Sequence, residues 1–381
     1  MISPAAALVD VEQVRAGVDA ALARHLEEMS DELDHLGDDG SELVEAVRIM
    51  LEGGKRLRAA FCYWSWRAHG GDPDDVAAPS QRSEPGAADR DGVLHVGAAL
   101  ELFQAAALFH DDVMDDSDIR RGRRAAHLRF ADLHTALGWS GSSRRFGESA
   151  AILLGDLALI ASERELATAV TGLRPDIRSA TQRVFDAMRT EVTVGQFLDV
   201  VAQSRPWSQD VAADEERARA VIRAKSARYS VEHPIVLGAL MAGATGEQVM
   251  RCREIGLPLG EAFQLRDDVL GVFGDPSATG KPAGDDLREG KRTVLVARAL
   301  HGASPDDASR VRSGLGRRGL SEQDVENLRS VIVRSGAVES VEDLIASLAR
   351  PALAALASAE LQEPGRTMLV DLGHAAVDRT A

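Results

Sequence analysis

Apolar residues return at every third or fourth position along most of this 381-residue chain, and no run of segments shows the strict polar and apolar alternation of half-buried strands. The opening segment sets the pattern: Leu8, Val11, Val14, Val18, Leu22, Leu26, Met29 and Leu33 form the stripe of one long amphipathic helix that should stop near Gly37. Much of the rest is Ala, Leu, Arg and Glu, which cost little to place in a helix. The periodicity predicts an all-α fold, and none of its short breaks resembles a flexible interdomain linker. The simplest organisation is one large helical domain over residues 1–365, with a C-terminal tail at 366–381.

A second helix is expected from Ser41, as N-cap, to Glu52, where Gly53 and Gly54 break it ahead of the basic stretch Lys55–Arg58. Residues 70–92 are dense in Gly, Pro, Asp, Ala and Ser without hydrophobic period, and read as a flexible surface loop. Helical periodicity resumes from Val93 to Asp116, with further helices expected over 149–171, 176–203, 214–230, 233–244, 247–273, 291–301, 321–334, 338–347 and 350–361. Gly314, Gly316 and Gly319 have the spacing of a dinucleotide-binding turn. Polar Asp306–Ser313 precedes them, however, where such a site demands a buried strand. They read as a loop before a helix opened by a Ser321 and Asp324 capping box.

Lys and Arg total 44 against 60 Asp and Glu, a net charge of −16. A chain so acidic lacks the broad positive face that a phosphate backbone requires, which argues against a nucleic-acid partner. Cys62 and Cys252, both in apolar contexts, are too few for a disulfide framework or a zinc site and read as buried thiols in a reducing compartment. Met1–Asp10 has neither the basic residue nor the apolar run of a signal peptide, and uncharged apolar stretches such as Pro234–Gly246 fall short of the ~18 residues of a membrane span. A cytoplasmic protein with no integral membrane segment is expected.

The acidic residues are concentrated where a helix disfavours them. From Asp111 to Asp118, five carboxylates fall within eight residues, directly after the apolar segment Ala105–Phe109 and at the C-terminal end of a predicted helix. Asp111 and Asp115 share a helix face one turn apart, with Asp112 beside them, so a divalent cation can be clamped between their oxygens. Hard oxygen ligands favour magnesium over zinc. A second pair, Asp267 and Asp268, lies in the apolar helical segment Phe263–Phe273. Two such pairs suggest facing walls of one cavity that binds several metal ions, and magnesium held this way bridges carboxylates to substrate phosphates. Basic residues beside glycine breaks, at Gly53-Gly54-Lys55-Arg56-Leu57-Arg58, Arg120-Arg121, Lys225, Lys281 and Lys291, offer metal-free binding to a second diphosphate.

These motifs, in this order, resemble those of the trans-isoprenyl diphosphate synthases, the polyprenyl synthetase family, over roughly residues 40–300, most of all the bacterial geranylgeranyl diphosphate synthases. The resemblance implies a helical bundle around a central cavity, a homodimer and three magnesium ions per active site. It also implies condensation of isopentenyl diphosphate with an allylic diphosphate (dimethylallyl, geranyl or farnesyl). By the same resemblance Asp111, Asp115 and Asp267 are metal ligands, and Asp112 and Asp268 support them; with Lys225 these form the catalytic set. Arg120, Lys225, Gln264 and Lys281 belong to the allylic site, and Lys55, Arg58, Gln104 and Arg121 to the isopentenyl diphosphate site. Lys291 and Ser226, which keeps the hydroxyl of the family's usual Thr, complete the substrate-binding residues. The chain departs from the pattern at Gly271, where the second motif commonly has a third Asp; Asp267, the direct ligand, is retained.

Product length is then argued from the helix that carries the first motif. At ~1.5 Å per residue, a side chain four positions before Asp111 lies about 6 Å below the metal site and one eight before lies about 12 Å below. Small Ala106 and Ala107 leave the tail pocket open, while Phe103 forms a floor a turn lower, which predicts geranylgeranyl diphosphate. Two other readings remain in play. A class I terpene cyclase would share the first motif but has no use for Lys55 and Arg58, and a non-catalytic partner subunit of a prenyl synthase is suggested by Gly271.

Overall fold

The computed structural model describes residues 10–74, 86–208, 210–275, 284–317 and 319–378. Helix α1 (Val14–Leu33) buries Val14, Val18, Leu22, Leu26 and Met29 of the predicted stripe, but it starts later than expected: Val11 is exposed in a preceding 3-10 turn where Glu12 is left-handed, Leu33 is half-buried, and Leu8 lies outside the described residues. It runs through a short 3-10 turn into Gly37, whose φ of 65° ends it. Helix α2 (Asp38–Leu51) starts on Gly37 rather than on Ser41, because Asp38 and Asp39 fill its first turn and complement the helix dipole. Helix α3 (Leu57–Ala68) is enclosed on nearly every side and carries the buried Phe61, Tyr63, Trp64 and Trp66.

Helix α4 (Arg90–Met114) opens on Asp89, whose side chain accepts from Gly92 N at 2.8 Å. It therefore begins inside the segment read as a loop, of which residues 75–85 lie outside the described residues. A two-residue hairpin, β1 (Ile119–Arg120) against β2 (Arg123–Arg124), is antiparallel. Helix α5 (Ala126–Ala136) has no counterpart among the expected helices. Its buried face is made by Ala126, Phe130 and two histidines, His127 and His134, which a count of hydrocarbon side chains overlooks.

There follow α6 (Ser143–Ala169), α7 (Pro175–Ser204), α8 (Val211–Val221), a π-helical segment (Ile222–Glu232), α9 (His233–Met241) and α10 (Gly246–Phe273). The remainder is α11 (Asp285–Glu289), α12 (Val294–Gly302), α13 (Pro305–Gly314), α14 (Glu322–Arg334), α15 (Ala337–Ala357) and α16 (Gly365–Val377). The Ser321 and Asp324 capping box of α14 is present. The two helices expected around Pro351 are the single helix α15. Its buried stripe of Ala349, Ala352, Leu353 and Leu356 continues past the proline, so packing outweighs one lost backbone bond. Polar Pro305–Gly314, which has no counterpart among the expected helices, is helical because Ser304 caps it and Ala308 and Val311 are buried; residues 366–377, read as tail, lie in α16.

The fold is thus all-α. By internal contacts it divides into two compact units: Met1–Asp186 with His233–Arg253 and Ala359–Leu372, and Ala187–Glu232 with Glu254–Ser358 and Gly373–Ala381. In the first, α4 packs against α6, α3 and α1, and α3 against α9; in the second, α12 packs against α8, α15 and α14. Helix α4 is, against expectation, long and apolar enough to cross a membrane, with a mean hydropathy of 1.5 over its best window. Isolated polar residues such as Gln104 do not pull down so apolar an average. With 78% of that window buried, α4 is the core helix of its unit. Cys62 and Cys252 are buried free thiols, and burial pushes Cys252 up to about 12 and Cys62 higher still.

Candidate active site

The first acidic motif closes α4. Asp111 and Asp112 lie in its last turn, and Asp115 caps it, donating its N–H to Asp111 O at 2.8 Å, so helical geometry carries through and keeps Asp111 and Asp115 one turn apart. The chain then turns back through Asp116 (φ 53°), Arg121 (φ 53°) and Gly122 (φ 71°). That reversal brings Arg120 home: its Nε donates to Asp112 Oδ1 at 2.7 Å, its Nη2 to Asp111 Oδ2 at 3.3 Å, and Nη2 also pairs with Asp112. Asp112 is 1% exposed. The guanidinium that meets it offsets the cost of burying such a carboxylate. The pair fixes Asp112, leaving Asp111 and Asp115 on the less buried side of the turn.

The basic Gly53–Arg58 segment is built around a residue the sequence did not single out. Arg56, left-handed at φ 53° and 6% exposed, donates from Nε to Asp19 Oδ1 (2.8 Å), from Nη1 to buried Glu101 Oε2 (3.0 Å) and from Nη2 to Leu51 O (2.8 Å). It ties the segment to α1, α2 and α4 and leaves Lys55 exposed and Arg58 half-buried. Gly54 permits this crowding: a Cβ there would stand 2.6 Å from Arg56 Nη1 and 3.4 Å from Arg121 Nη1. Arg121 Nη1 donates to Met50 O at 2.5 Å and Glu52 O at 2.9 Å. Burial lowers its pKa and, against the pull of Glu101, so do the charges of Arg56, Arg58 and Arg120. The charges of Arg56, Arg58 and Arg120 thus all act on Arg121, while Arg56 and Arg120 are themselves held by carboxylates.

On the same α4, Gln104 is half-buried one residue from buried Phe103, whose ring meets that of Phe185 edge-on with centroids 6.4 Å apart. Ala106 is buried and Ala107 half-buried, in the turn between Phe103 and the acids.

In the second unit, Lys225 and Ser226 lie on the π-helical segment, both half-buried, and Lys225 Nζ donates to Asp199 Oδ2 at 2.6 Å. The widened helix fits because its neighbours lack side chains: a Cβ on Gly195 would lie 2.4 Å from Lys225 N, and one on Gly260 would lie 2.2 Å from Ala227 O. On α10, Gln264 Nε2 donates to Asp268 Oδ1 at 2.8 Å, one turn apart. Asp267 is half-buried and Asp268 buried. Burial, then the charges of Asp286 and Asp267, hold the Asp268 carboxyl well above the ordinary range, against Gln264 and Lys291. Lys291 Nζ lies 2.7 Å from Glu289 Oε2 and 3.4 Å from Asp286 Oδ1. Lys281 lies outside the described residues.

The acidic residues of each motif offer oxygen donors, as a hard divalent cation requires. Among the described residues no group of three or more His, Cys, Asp or Glu converges to hold an ion unaided. Arg56, Asp19, Asp199 and Asp286 were not legible as site residues; of the anchoring acids only Glu101, alone in the apolar run Val93–Phe109, carries a sequence signal.

The family model described as polyprenyl synthetase matches residues 41–332. A short chain isoprenyl diphosphate synthase of Methanothermobacter thermautotrophicus is 31% identical over 322 residues, covering 84% of this chain and 86% of the relative. The octaprenyl diphosphate synthase of Escherichia coli is 29% identical, covering 96% of each chain. Among solved structures, a geranylgeranyl pyrophosphate synthase from Corynebacterium glutamicum, complexed with isoprenyl diphosphate and magnesium, superposes with a TM-score of 0.88 at 36% identity. It covers 97% of this chain and is itself covered over its whole length (100%).

Proposed function

Since the chain belongs to the polyprenyl synthetase family, as a trans-isoprenyl diphosphate synthase, we propose that it is a magnesium-dependent prenyltransferase. It joins isopentenyl diphosphate to an allylic diphosphate and makes geranylgeranyl diphosphate. The observation that carries this reading is the pairing, within one unit, of the Asp111–Asp115 turn with the Arg56, Arg58, Arg120 and Arg121 cluster. The carboxylates offer oxygen ligands to a cation, and the guanidiniums beside them offer donors to an anion.

In this reading Asp111, Asp115 and Asp267 hold magnesium, three ions per site, with Asp112 and Asp268 behind them. Bound magnesium would neutralise the allylic diphosphate and so ease its departure. Arg120, Lys225, Ser226, Gln264, Lys281 and Lys291 bind that diphosphate, and Lys55, Arg58, Gln104 and Arg121 hold isopentenyl diphosphate without metal. Loss of the allylic diphosphate leaves a carbocation, the isopentenyl double bond attacks it, and a proton leaves to the released diphosphate. Ala106, Ala107 and Phe103 line an apolar pocket that keeps water from the cation. Phe103, braced by Phe185, is its floor and sets the product length.

The same reading takes residues 1–365 as one functional domain around a central cavity and places the enzyme in the cytoplasm. Exposed Ile152, Leu153 and Ile160 on α6 support a homodimer, since such a stripe is shielded by a second copy.

Incubating the purified protein with magnesium, isopentenyl diphosphate and, separately, dimethylallyl, geranyl and farnesyl diphosphates tests the reading. Geranylgeraniol should appear after dephosphorylation, by mass spectrometry. If no starter leads to consumption of isopentenyl diphosphate, the reading fails in favour of a cyclase or a non-catalytic subunit.

A further inference from the structure

Within the second unit, the π-helical segment Ile222–Glu232 touches two helices. Toward α7, Lys225 Nζ meets Asp199 Oδ2, and a Cβ on Gly195 would lie 2.4 Å from Lys225 N. Toward α10 the approach is backbone on backbone: a Cβ on Gly256 would stand 2.7 Å from Glu232 Cα, and one on Gly260 would stand 2.2 Å from Ala227 O. Glycines one turn apart let two helices come this close, but a bare face carries no side chain to fix how one is turned against the other. The next residue, Glu261, supplies one. It is 3% exposed, and its carboxylate accepts from Arg219 Nε at 2.6 Å through Oε1 and from Arg223 Nε at 3.2 Å through Oε2. Arg219 lies in the last turn of α8 and Arg223 is the second residue of the π-helical segment, so one carboxylate holds both sides of the step from ordinary to wider winding. A buried ion triad adds little net stability, and its best-attested use is to fix register.

We propose that Glu261 is a positioning residue for Lys225: through Arg219 and Arg223 it fixes the rotation of the π-helical segment, and with it the direction in which the Lys225 ammonium meets the allylic diphosphate. This rests on the assignment of Lys225 to that diphosphate. Arg223 reaches α10 while Lys225, two residues further on, reaches α7, so the segment is gripped from both helices. Asp199 holds the lysine by its tip; Glu261 holds the backbone that carries it.

A double-mutant cycle on the full-length protein tests this, with Glu261→Gln, Lys225→Ala and the two combined. The readout is affinity for farnesyl diphosphate with magnesium, by isothermal titration calorimetry in the absence of isopentenyl diphosphate, with thermal melting as a check on folding. Glu261→Gln is nearly isosteric and removes the charge that both guanidiniums share; Arg223→Ala releases the same grip and decides the matter if Glu261→Gln melts early. Coupling between residues of one ion-pair network runs from about twofold to about a hundredfold. Glu261→Gln should therefore weaken binding by about threefold or more while Lys225 is present, and change it little once Lys225 is alanine. In steady-state kinetics KM for the allylic substrate should rise and KM for isopentenyl diphosphate should hold. Equal losses in both backgrounds, an equal rise in both KM values, or unchanged affinity in both Glu261→Gln and Arg223→Ala overturns the proposal and leaves Lys225 in its assigned role. Full affinity in Lys225→Ala shows instead that the assignment of Lys225 is at fault, and the proposal falls with it.

Discussion

Lys225 Nζ stands 2.6 Å from Asp199 Oδ2, so the ammonium assigned to the allylic diphosphate is held by a carboxylate before any phosphate reaches it. Substrate oxygens must replace or share that bond. Removing Lys225 loses a charge-assisted contact worth about 1.5–3 kcal/mol, or about ten- to a hundredfold in rate. Lys225→Ala should therefore lower kcat/KM for the allylic substrate by that factor. Asp199→Ala, which leaves the ammonium present but unaimed, should cost less. Steady-state kinetics at saturating isopentenyl diphosphate checks the order, and a larger loss in Asp199→Ala contradicts it.

Arg56 and Glu101 form a buried ion pair, at 6% and 2% exposure. Arg56→Ala strands Glu101 in a dry environment, which costs about 3–5 kcal/mol. Urea unfolding should show that loss. The double variant Arg56→Met/Glu101→Leu should regain most of it, because two apolar side chains leave no orphan charge.

Glu165 is clamped by two histidines: His25 Nδ1 donates to Oε1 at 2.7 Å and His95 Nδ1 to Oε2 at 2.5 Å, joining α1, α4 and α6. Burial alone would lower the His95 pKa, but Glu165 and Asp91 outweigh it and Arg24, so it is raised above 6.5. Burial would raise Glu165, but the two histidines outweigh it and its pKa falls below 4.5. The His95 contribution is thus complete below pH 6.5 and lost as pH rises through its folded value. The Glu165 contribution is complete above pH 4.5 and lost as pH falls through its own. Melting temperature should be best supported by this cluster between those limits and decline on the alkaline side. His95→Gln should flatten that alkaline decline; an unchanged slope would count against the assignment.

Product length should follow α4. Ala107→Phe closes the pocket one turn below Asp111 and should shorten the product, while Phe103→Ala, or removal of its brace in Phe185→Ala, should lengthen it. Mass spectrometry of the dephosphorylated products reads both, and unchanged lengths in all three would sink the floor at Phe103.

Gly260→Ala would drive a methyl to 2.2 Å from Ala227 O, against backbone that cannot step aside cheaply. Overpacking of this kind costs about 1–3 kcal/mol. Because the displaced segment carries Lys225, KM for the allylic substrate should rise as well, beyond what an equally destabilising substitution elsewhere produces.

The sequence made the long apolar stripes legible, as in α1, and it singled out Asp111, Asp115 and Asp267, since carboxylates embedded among hydrocarbons have few reasons to be there. It did not reveal α5, where buried His127 and His134 take the place of hydrocarbons, or the continuity of α15 through Pro351. Nor could it disclose Asp199 behind Lys225 or Glu261 between Arg219 and Arg223. Such pairings join residues far apart in the chain, and spacing rules speak only of neighbours. Arg56 was hidden for another reason: in a run of basic residues, nothing local tells a buried anchor from the exposed Lys55 beside it.

Helix α4 carries Asp111 at its end and Phe103 two turns earlier on the same rigid rod. On the proposed roles of these two residues, bond making and the gauging of chain length are calibrated against one another by backbone alone, at ~1.5 Å for each residue between them. On that reading a lineage can move the stop up or down the scale one side chain at a time while the reacting end stays as it was.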